Sequence, residues 1–322
     1  MENKSTNYRY YVIGAIVAVA IILLIVLLVK ISSDDTPQID VNNGNQNTQN
    51  DIIKAYSSSD VTSGSTVTGK VWRETNNNIT TMIARPSDNY YFAYWTVTVN
   101  STTKKYSGYD TLEVPSESAS NYNAVFIAAD KVLRITTFEE FVSNASNSSY
   151  DMIVLNNDID ATGKSYGMTE TFTKVFDGNG HVIRNMTREA GTNHTNYGGI
   201  TKTLSGGVIK NLTLDNCTIT DITSPSVVRL GGFVGDILNG VISNCVFRGT
   251  VKSTKSDCYV GGIVGQALSA GTIATSYIDH CTYIGANIGG GGSGFIIGNN
   301  TNMACVLSNN KSEGSSQQGI TK

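Results

Sequence analysis

Hydrophobic positions follow three different patterns along this chain of 322 residues. Residues 11–29 are an uninterrupted apolar run, YVIGAIVAVAIILLIVLLV. Residues 52–129 alternate apolar and polar positions over short stretches, and residues 130–310 contain short β-branched stretches punctuated by Gly and Asn. A long apolar run is typical of a transmembrane helix, whereas short stretches between turn residues are typical of strands. The sequence therefore predicts a mainly β protein with one N-terminal transmembrane helix.

The apolar run at residues 11–29 fits a signal anchor that is not cleaved. At 1.5 Å of rise per residue, its length nearly matches a hydrocarbon core of roughly 30 Å. A cleaved signal peptide is the main alternative, but its apolar region is shorter, at about 7–15 residues, and ends in a small-x-small cleavage site. Residues 30–35, which follow the run, contain no such site.

Flanking charges predict the orientation of the anchor. Lys4 and Arg9 precede the apolar run, whereas Asp34 and Asp35 soon follow it. Lysine and arginine favour the cytoplasmic side of a membrane. We therefore expect residues 1–10 to lie in the cytoplasm. The protein is then a single-pass protein of the cell membrane with the bulk of its chain extracellular.

Two further segments are predicted to lack a core. Residues 30–51 contain no aromatic side chain and are dominated by Asn, Gln, Ser, Thr and Asp. Such a composition buries too little apolar surface to fold alone, so we expect a flexible stalk. Residues 311–322 are expected to form a polar tail.

Residues 52–129 predict a small all-β module. The run Ile83–Trp95, followed by Tyr122–Phe126, resembles the small β-repeats of bacterial surface proteins of the internalin B-repeat type. This resemblance implies an extracellular spacer or binding module. Four aromatic residues have two interpretations, a sugar-binding face or the core of the module: Tyr90, Tyr91, Tyr94 and Trp95.

One amphipathic stretch, residues 136–145, predicts a helix in front of the C-terminal region. Thr137 followed by Glu140 is a capping-box pattern, and Phe138 and Phe141 fall on one helical face. We expect this helix to cap the N-terminal end of the structure that follows.

Residues 130–310 repeat themselves with a period of about 30 residues. Glycine-rich segments such as Gly231–Gly235 alternate with a second motif, which recurs as Val182–Met186, Val208–Leu212, Val241–Cys245 and Tyr277–Cys281. Short strands with Gly or Asn at corners that need positive φ predict a β-solenoid, in which each coil pairs with the next.

All five cysteines lie within this repeat region. The second motif places Cys245 and Cys281 at the same position as Leu212, and we expect Cys305 to continue this stack in the last coil. Free cysteine behaves as a small buried hydrophobe, so the stack is predicted to face the core. A disulfide between stacked coils is left open.

The unit from Gly231 to Val251 resembles the GLUG repeat of bacterial surface proteins. The segments Leu155–Asp160 and Phe176–Ile183 are similar to the start of β-helix domains in secreted adhesins. These resemblances imply a right-handed parallel β-helix with an adhesive or binding role. The pattern departs at Gly289–Gly292, a run of four glycines, and no clear cap closes the C-terminal edge.

Patterns that indicate catalysis or metal binding are weak. Glycoside hydrolysis needs two carboxylates about 5–9.5 Å apart, yet Asp215, Asp236 and Asp279 fall at different positions of the repeat. Three other aspartates have two interpretations, a calcium site or ordinary turn residues: Asp158, Asp160 and Asp177. The histidines form no ligand spacing: His181, His194 and His280. We therefore assign no catalytic residue, cofactor or metal ligand.

The leading functional hypothesis is a non-enzymatic surface protein that binds a glycan or another protein. The net charge of −3 gives no basic surface, so nucleic acid is not expected as a partner. Two alternatives stay open: a carbohydrate-active β-helix enzyme, such as a polysaccharide lyase or glycosidase, and a structural protein that assembles through an open solenoid edge. The sequence does not indicate an oligomeric state.

Overall fold

A computed structural model describes residues 57–163, 169–190, 197–221, 227–269, 275–285, 288–289 and 292–313. All of these residues belong to one compact unit, residues 55–322. The predicted cytoplasmic segment, anchor and stalk lie outside the described residues, as do residues 314–322 of the predicted tail. Within the described ranges, no helix has the length and apolar character needed to cross a membrane.

Residues 57–128 contain seven strands: β1 Ser57–Ser63, β2 Thr66–Asn76, β3 Ile79–Pro86, β4 Tyr90–Val99, β5 Thr102–Ser107, β6 Thr111–Pro115 and β7 Tyr122–Ala128. An outer antiparallel sheet has the order β1-β2-β3-β6, and an inner antiparallel sheet has the order β5-β4-β7. Alternation along these strands places apolar side chains between the two sheets. This core includes Val71, Met82, Phe92, Trp95, Leu112 and Val114. We call residues 57–128, the two sheets with their connecting loops, the module.

Residues 132–313 form a β-solenoid of about four turns. Its strands are β8 Val132–Ile135, β9 Met152–Leu155, β10 Ile159–Asp160, β11 Thr169–Phe172, β12 Val175–Asp177, β13 Val182–Arg184, β14 Thr187–Ala190, β15 Tyr197–Gly198, β16 Thr201–Ser205, β17 Val208–Lys210, β18 Thr213–Asp221, β19 Val228–Gly231, β20 Val234–Leu238, β21 Val241–Ser243, β22 Val246–Lys252, β23 Cys258–Gly261, β24 Val264–Ala267, β25 Ser276–Asp279, β26 Thr282–Ile284, β27 Ile288–Gly289, β28 Gly292–Gly294, β29 Ile297–Asn300, β30 Cys305–Ser308 and β31 Lys311–Glu313. The last strand lies within the segment that the sequence assigns to the tail.

The solenoid strands stack into four parallel sheets. Sheet I contains β8, β9, β12, β17, β21, β25 and β30, and sheet II contains β10, β13, β14, β18, β22, β26, β27 and β31. Sheet III contains β15, β19, β23 and β28, and sheet IV contains β11, β16, β20, β24 and β29. Each complete coil passes through sheets I, II, III and IV in turn. In sheet I, Val175 pairs with Val208, and Val208 pairs with Val241, so equivalent residues of successive coils lie side by side.

The predicted helix is present as α1, Phe138–Asn144, between β8 and β9. Thr137 is its N-cap and forms the expected reciprocal capping box with Glu140. Phe141 is fully buried, with its ring centroid 4.4 Å from that of Phe176. The apolar face of the helix therefore joins the solenoid core at the first coil.

Residues with positive φ turn the corner between sheets I and II, as the sequence predicts. In the corners after β17, β21, β25 and β30 they are Asn211, Asn244, His280 and Asn309, with φ between 50° and 54°. The amide of Asn244 donates to Oδ1 of Asn211 at 2.8 Å, and the amide of Asn211 donates to Oδ1 of Asp177 at 3.0 Å. We call these four residues the corner ladder.

One equivalence drawn from the repeat is wrong. Val182 pairs with Thr213 in sheet II, so Val182–Met186 is not equivalent to Val208–Leu212, which begins in sheet I. The two motifs look alike because the corners that follow them are both turned by an asparagine with positive φ, Asn185 in the first case.

The predicted cysteine stack is confirmed only in part. Cys245 and Cys281 are fully buried neighbours in successive coils, and the cysteines are free thiols. Cys305 does not continue the stack, because it pairs with Ser276 at the start of β25. Asn310 takes the place beside Cys281 and accepts a hydrogen bond from its backbone N–H at 2.8 Å. The last coil has no cysteine directly after its corner residue Asn309, so the repeat motif could not align it with Cys281.

The corner between sheets III and IV explains the glycine-rich motif. A Cβ atom added at Gly261 would lie 1.9 Å from the carbonyl oxygen of Val264, and one at Gly231 would lie 2.1 Å from that of Val234. Two backbone segments approach too closely here for any side chain. Glycine is therefore required by contact between backbones at these positions.

The module packs directly against sheet I of the solenoid. The outward-facing apolar residues of sheet I are Met152, Val154, Val175, Val208 and Val241. The inner sheet of the module covers them with Tyr91, Ala93, Tyr94, Val125 and Ile127. Strands β9, β17 and β21 of sheet I are consequently buried at every position, in contrast to sheet II, where Arg184 and Arg248 face the solvent.

Candidate ligand-binding seam

A buried polar network joins the module to the ends of the sheet I strands. Ser107 donates through Oγ to Oδ2 of Asp279 at 2.7 Å, and Ser243 donates to the other carboxylate oxygen of Asp279. The backbone N–H of Gly108 donates to Oγ of Ser243 at 2.8 Å. Because these buried groups satisfy one another, the network holds residues 107–110 against the solenoid. We call this junction the seam.

A buried ion pair adds a second connection at the seam. Lys210 is only 2% exposed, and its Nζ lies 3.3 Å from Oδ2 of Asp177. The same Nζ donates to the carbonyl oxygen of Phe92 in the module at 2.6 Å and lies 4.6 Å from the centre of the Phe92 ring. Burial lowers the pKa of Lys210, whereas the neighbouring Asp177 opposes this shift.

Tyr109 of the module stacks on the corner ladder. Its ring centroid lies 4.6 Å from that of His280. Nδ1 of His280 is 3.0 Å from Oδ2 of Asp279, and Nε2 is 3.4 Å from the amide nitrogen of Asn309. On the module side, the indole N–H of Trp95 donates to the carbonyl oxygen of Tyr109 at 2.9 Å. Tyr109 is thus held from both sides.

Two clefts open along the seam, and Tyr109 lines both. The first has a volume of about 340 Å³, and its lining includes Tyr91, Asp110, Asp177, Asn211 and Asn244. The second has a volume of about 320 Å³, and its lining includes Tyr106, Glu113, Asp279, His280 and Asn309. Together the two clefts follow the corner ladder from coil to coil. Aromatic surface beside fixed polar groups is typical of small-molecule and oligosaccharide sites.

A third cleft lies at the starts of the sheet I strands, away from the seam. It has a volume of about 430 Å³, and Tyr94, Lys105, Tyr150, Asp151 and Lys174 contribute to its lining. Burial lowers the pKa of both lysines. Each lysine donates to a backbone carbonyl oxygen of the solenoid. We call this the opposite cleft.

The structure divides the four predicted aromatic residues among different surroundings. Trp95 is fully buried in the module core. Tyr91 and Tyr94 pack against sheet I, and Tyr91 also lines the first seam cleft. Tyr90 is partly buried and pairs with Ala128 in the inner sheet. Both interpretations from sequence therefore describe some members of the group, and docking against the solenoid is a third role.

The three aspartates considered for calcium binding are each held by other donors. Asp158 pairs with Arg184 at 2.9 Å, and a hydrogen bond from the backbone of Val182 is the main cause of its lowered pKa. Hydrogen bonds from Thr162 and Asn185 lower the pKa of Asp160 to about 2. The third, Asp177, pairs with the buried lysine described above. No cluster of three or more metal-binding side chains occurs among the described residues.

The remaining predicted acids lie on three different sheets. Asp215 is on sheet II between Arg184 and Arg248, at 3.8 Å and 3.9 Å. Asp236 is on sheet IV and Asp279 on sheet I. Among the histidines, His181 contacts Asp158, His280 belongs to the seam, and His194 lies outside the described residues.

Sequence reasoning missed the residues that form the seam, notably Tyr109, Asp110 and Lys210. One signal was available, because Val208 and Ile209 are adjacent apolar residues in a three-residue strand. Adjacent side chains of a strand point to opposite faces, so both faces of such a strand must be covered. The identity of the covering element could not be read from this pattern.

Residues 132–229 match a family profile described as "Putative pectate lyase-like adhesive domain". Halomucin from Haloquadratum walsbyi (strain DSM 16790 / HBSQ001) is 36% identical over 107 residues, which cover 33% of this chain and 1% of halomucin. The chain thus spans a very small part of this curated relative.

A solved structure, "a putative immunoglobulin A1 protease from Bacteroides ovatus", superposes with a TM-score of 0.35 and 19% sequence identity. The superposition covers 50% of this chain and 60% of the other.

Proposed function

We propose that this protein is a membrane-anchored surface protein that binds a glycan or protein ligand outside the cell. The observation that carries the proposal is the match of residues 132–229 to the adhesive-domain profile. These residues include the first complete coil and the strands on either side of it. The seam supports the proposal with two polar, aromatic-lined clefts. Asp177, Lys210 and Asn211 of the matched region line the first, and the second lies beside later coils.

The proposed architecture follows the sequence-based expectations. Residues 1–10 are cytoplasmic, residues 11–29 form the signal anchor, and residues 30–51 form the stalk. The internalin-type module and the GLUG-type, right-handed β-helix with its capping helix are then held away from the membrane. Display on a stalk places a rigid binding surface where a large ligand can reach it.

Surface display is tested first, by adding protease to intact cells that produce the full chain. We expect the extracellular part to be released or degraded while residues 1–10, carrying an added epitope, stay protected. Lysed cells serve as the control in which both ends are accessible. Complete protection of the chain in intact cells would contradict the proposal.

Ligand binding is tested on cells that display the full chain, with arrays of glycans and host-matrix proteins. We expect retention on at least one class of ligand relative to cells that lack the protein. Failure to bind any class would count against an adhesive role.

The same cells also test the enzymatic alternative. They are incubated with a polysaccharide panel, and new reducing ends or unsaturated products are measured. If the protein is only adhesive, we expect no more of these products than from cells that lack the protein. Product formation would replace the adhesive proposal with a carbohydrate-active enzyme.

A further inference from the structure

We infer that the seam binds an uncharged glycan chain that lies along the solenoid axis, across Tyr109 and the corner ladder. This inference rests on the proposed function and assigns the site and the ligand class within it. Three independent features of the seam lead to it: its aromatic faces, the spacing of its amides and the pairing of its charges.

Three tyrosines line the seam clefts, with Tyr106 in the second cleft alone. Tyr91 lines the first cleft and Tyr109 lines both. The apolar C–H face of a sugar ring packs on an aromatic face, while the tyrosine hydroxyl keeps hydrogen-bonding capacity. Tyr109 is restrained by its ring contact with His280, so little side-chain freedom is left to lose when a ligand stacks on it.

The corner ladder supplies hydrogen-bonding groups at a regular interval. Its members follow one another from coil to coil, and the coils of a parallel solenoid are roughly 4.8 Å apart. This spacing is close to the length of one sugar unit in an extended chain. Asn244 and Asn309 are exposed. An extended glycan along the axis would therefore meet one polar side chain per coil, whereas a single small ligand would use only one.

The charges at the seam disfavour an acidic polysaccharide. Among the described residues that line the two seam clefts, the only lysine or arginine is Lys210, which is buried and paired with Asp177. Asp110 is paired with Arg85 at 2.8 Å, and Glu113 adds further negative charge to the second cleft. A uronic-acid chain would thus bring carboxylates to acidic surroundings. The nearby Arg85 and Arg134 are already engaged, Arg85 by Asp110 and Arg134 by the hydroxyl and ring of Tyr91. Of the three clefts described above, the opposite cleft has the most lysines, Lys105 and Lys174, together with Asp151.

The experiment uses cells that display the full chain and two kinds of soluble probe. Neutral probes are mixed-linkage β-glucan, mannan and dextran, and the acidic probe is polygalacturonate. We expect at least one neutral probe to bind, with little dependence on salt, and polygalacturonate not to bind at the seam. Tyr109→Ala and Asn244→Gly should each weaken neutral binding at least tenfold. The glycine variant keeps the positive φ of position 244 while removing the amide.

Two matched variants separate binding from folding. Tyr109→Phe keeps the ring and should bind within a few-fold of the unmodified protein. Tyr150→Ala removes a tyrosine from the opposite cleft and should leave neutral binding unchanged. Each variant is also checked for an unchanged melting temperature, so that loss of binding by an unfolded protein is recognised.

The possible outcomes distinguish this inference from the proposed function. If a ligand is bound but Tyr109→Ala and Asn244→Gly bind it normally, the seam assignment is overturned and the adhesive function stands. Binding of polygalacturonate alone, with loss in a Lys105→Ala or Lys174→Ala variant, would move the site to the opposite cleft. If no glycan or matrix protein binds at all, the proposed function itself fails.

Discussion

Asparagine determines much of the turn geometry at the level of single residues. Of the fifteen non-glycine residues with positive φ in the described ranges, twelve are asparagine. The left-handed conformation costs most L-residues about 1–2 kcal/mol, and asparagine tolerates it because its short side chain makes local hydrogen bonds. The Asn-rich composition of the C-terminal half is therefore explained by the corners of the solenoid.

Asn216 provides a test of this explanation away from the seam. Its φ is 51°, and its amide donates to Oδ1 of Asn185 at 2.7 Å. We expect Asn216→Ala to lower the free energy of unfolding by about 1–2 kcal/mol. Asn216→Gly should lose less, because glycine accepts positive φ. Chemical denaturation followed by tryptophan fluorescence measures both, and equal losses would show that backbone conformation is not the cause.

Asp236 predicts a pH dependence of stability. Burial raises its pKa to about 6, although Arg229 lies 3.4 Å away. The Nε–H of Arg229 donates to Gln266 at 2.6 Å, and Oδ1 of Asp236 accepts no hydrogen bond from the described residues. The ion pair with Arg229 therefore offsets only part of the free-energy cost of burying the charged Asp236 carboxylate.

The sign of this effect follows from proton linkage. The folded protein holds the Asp236 proton to higher pH than the unfolded chain does, whose carboxyl has its ordinary pKa near 3.8. The contribution of Asp236 to the free energy of unfolding should therefore fall as the pH rises from about 4 to 6. Asp236→Asn should remove this part of the dependence. Identical pH profiles for the two proteins, from denaturation at each pH, would contradict the assignment.

Strands of the same length differ in burial according to whether the module covers their outer face. Strand β17 of sheet I is buried at all three positions, whereas β13 of sheet II exposes Arg184. On sheet II, Arg184, Asp215 and Arg248 form an exposed charge ladder across three coils. Exposed pairs of this kind contribute little stability, so sheet II is held mainly by its inward-facing apolar residues.

The corner between sheets III and IV gives a prediction at the level of elements. Gly261→Ala would place a methyl group 1.9 Å from the carbonyl oxygen of Val264, and backbone cannot move aside cheaply. We expect a loss of more than about 3 kcal/mol, or no folded protein. Gly180→Ala is the matched control, because its φ is +78° but its surroundings are open. The control should cost only about 1–2 kcal/mol. Comparable melting temperatures for the two variants would contradict the close-packing explanation.

At the scale of the whole molecule, the module and solenoid share an interface. The bond between Ser107 and Asp279 joins residues 172 positions apart in the sequence. Apolar contact at the centre of sheet I and polar contact at the seam are both part of this interface. We therefore expect the two parts to unfold together.

The buried ion pair tests that coupling. Lys210→Met leaves Asp177 without its buried partner and should lower the free energy of unfolding by about 3–5 kcal/mol. The double variant Asp177→Asn, Lys210→Met removes both charges and should recover much of this loss. Chemical denaturation gives the energies, and protease cleavage near residues 129–131 reports release of the module. A double variant as unstable as the single one would show that the ion pair is not the cause.

Several features could be predicted because they depend on residues close in sequence. The capping box of α1 needs only Thr137 and Glu140, and the corner after β21 needs only Asn244, which accepts positive φ. The register of Val182 was wrong because two different corners share one local motif. The position of Cys305 was wrong because the last coil departs from the repeat.

The sequence by itself determined the mainly β class, the repeating coil, the corner asparagines and the helix before them, since each follows from periodicity or local conformation. Only the tertiary structure decided that the module covers sheet I and that this contact creates the seam. The reason is physical: Val208, Ile209 and Lys210 indicate a strand buried on both faces, but burial does not specify the partner. That choice depends on shape and on hydrogen bonds between distant residues, such as Ser107 and Asp279.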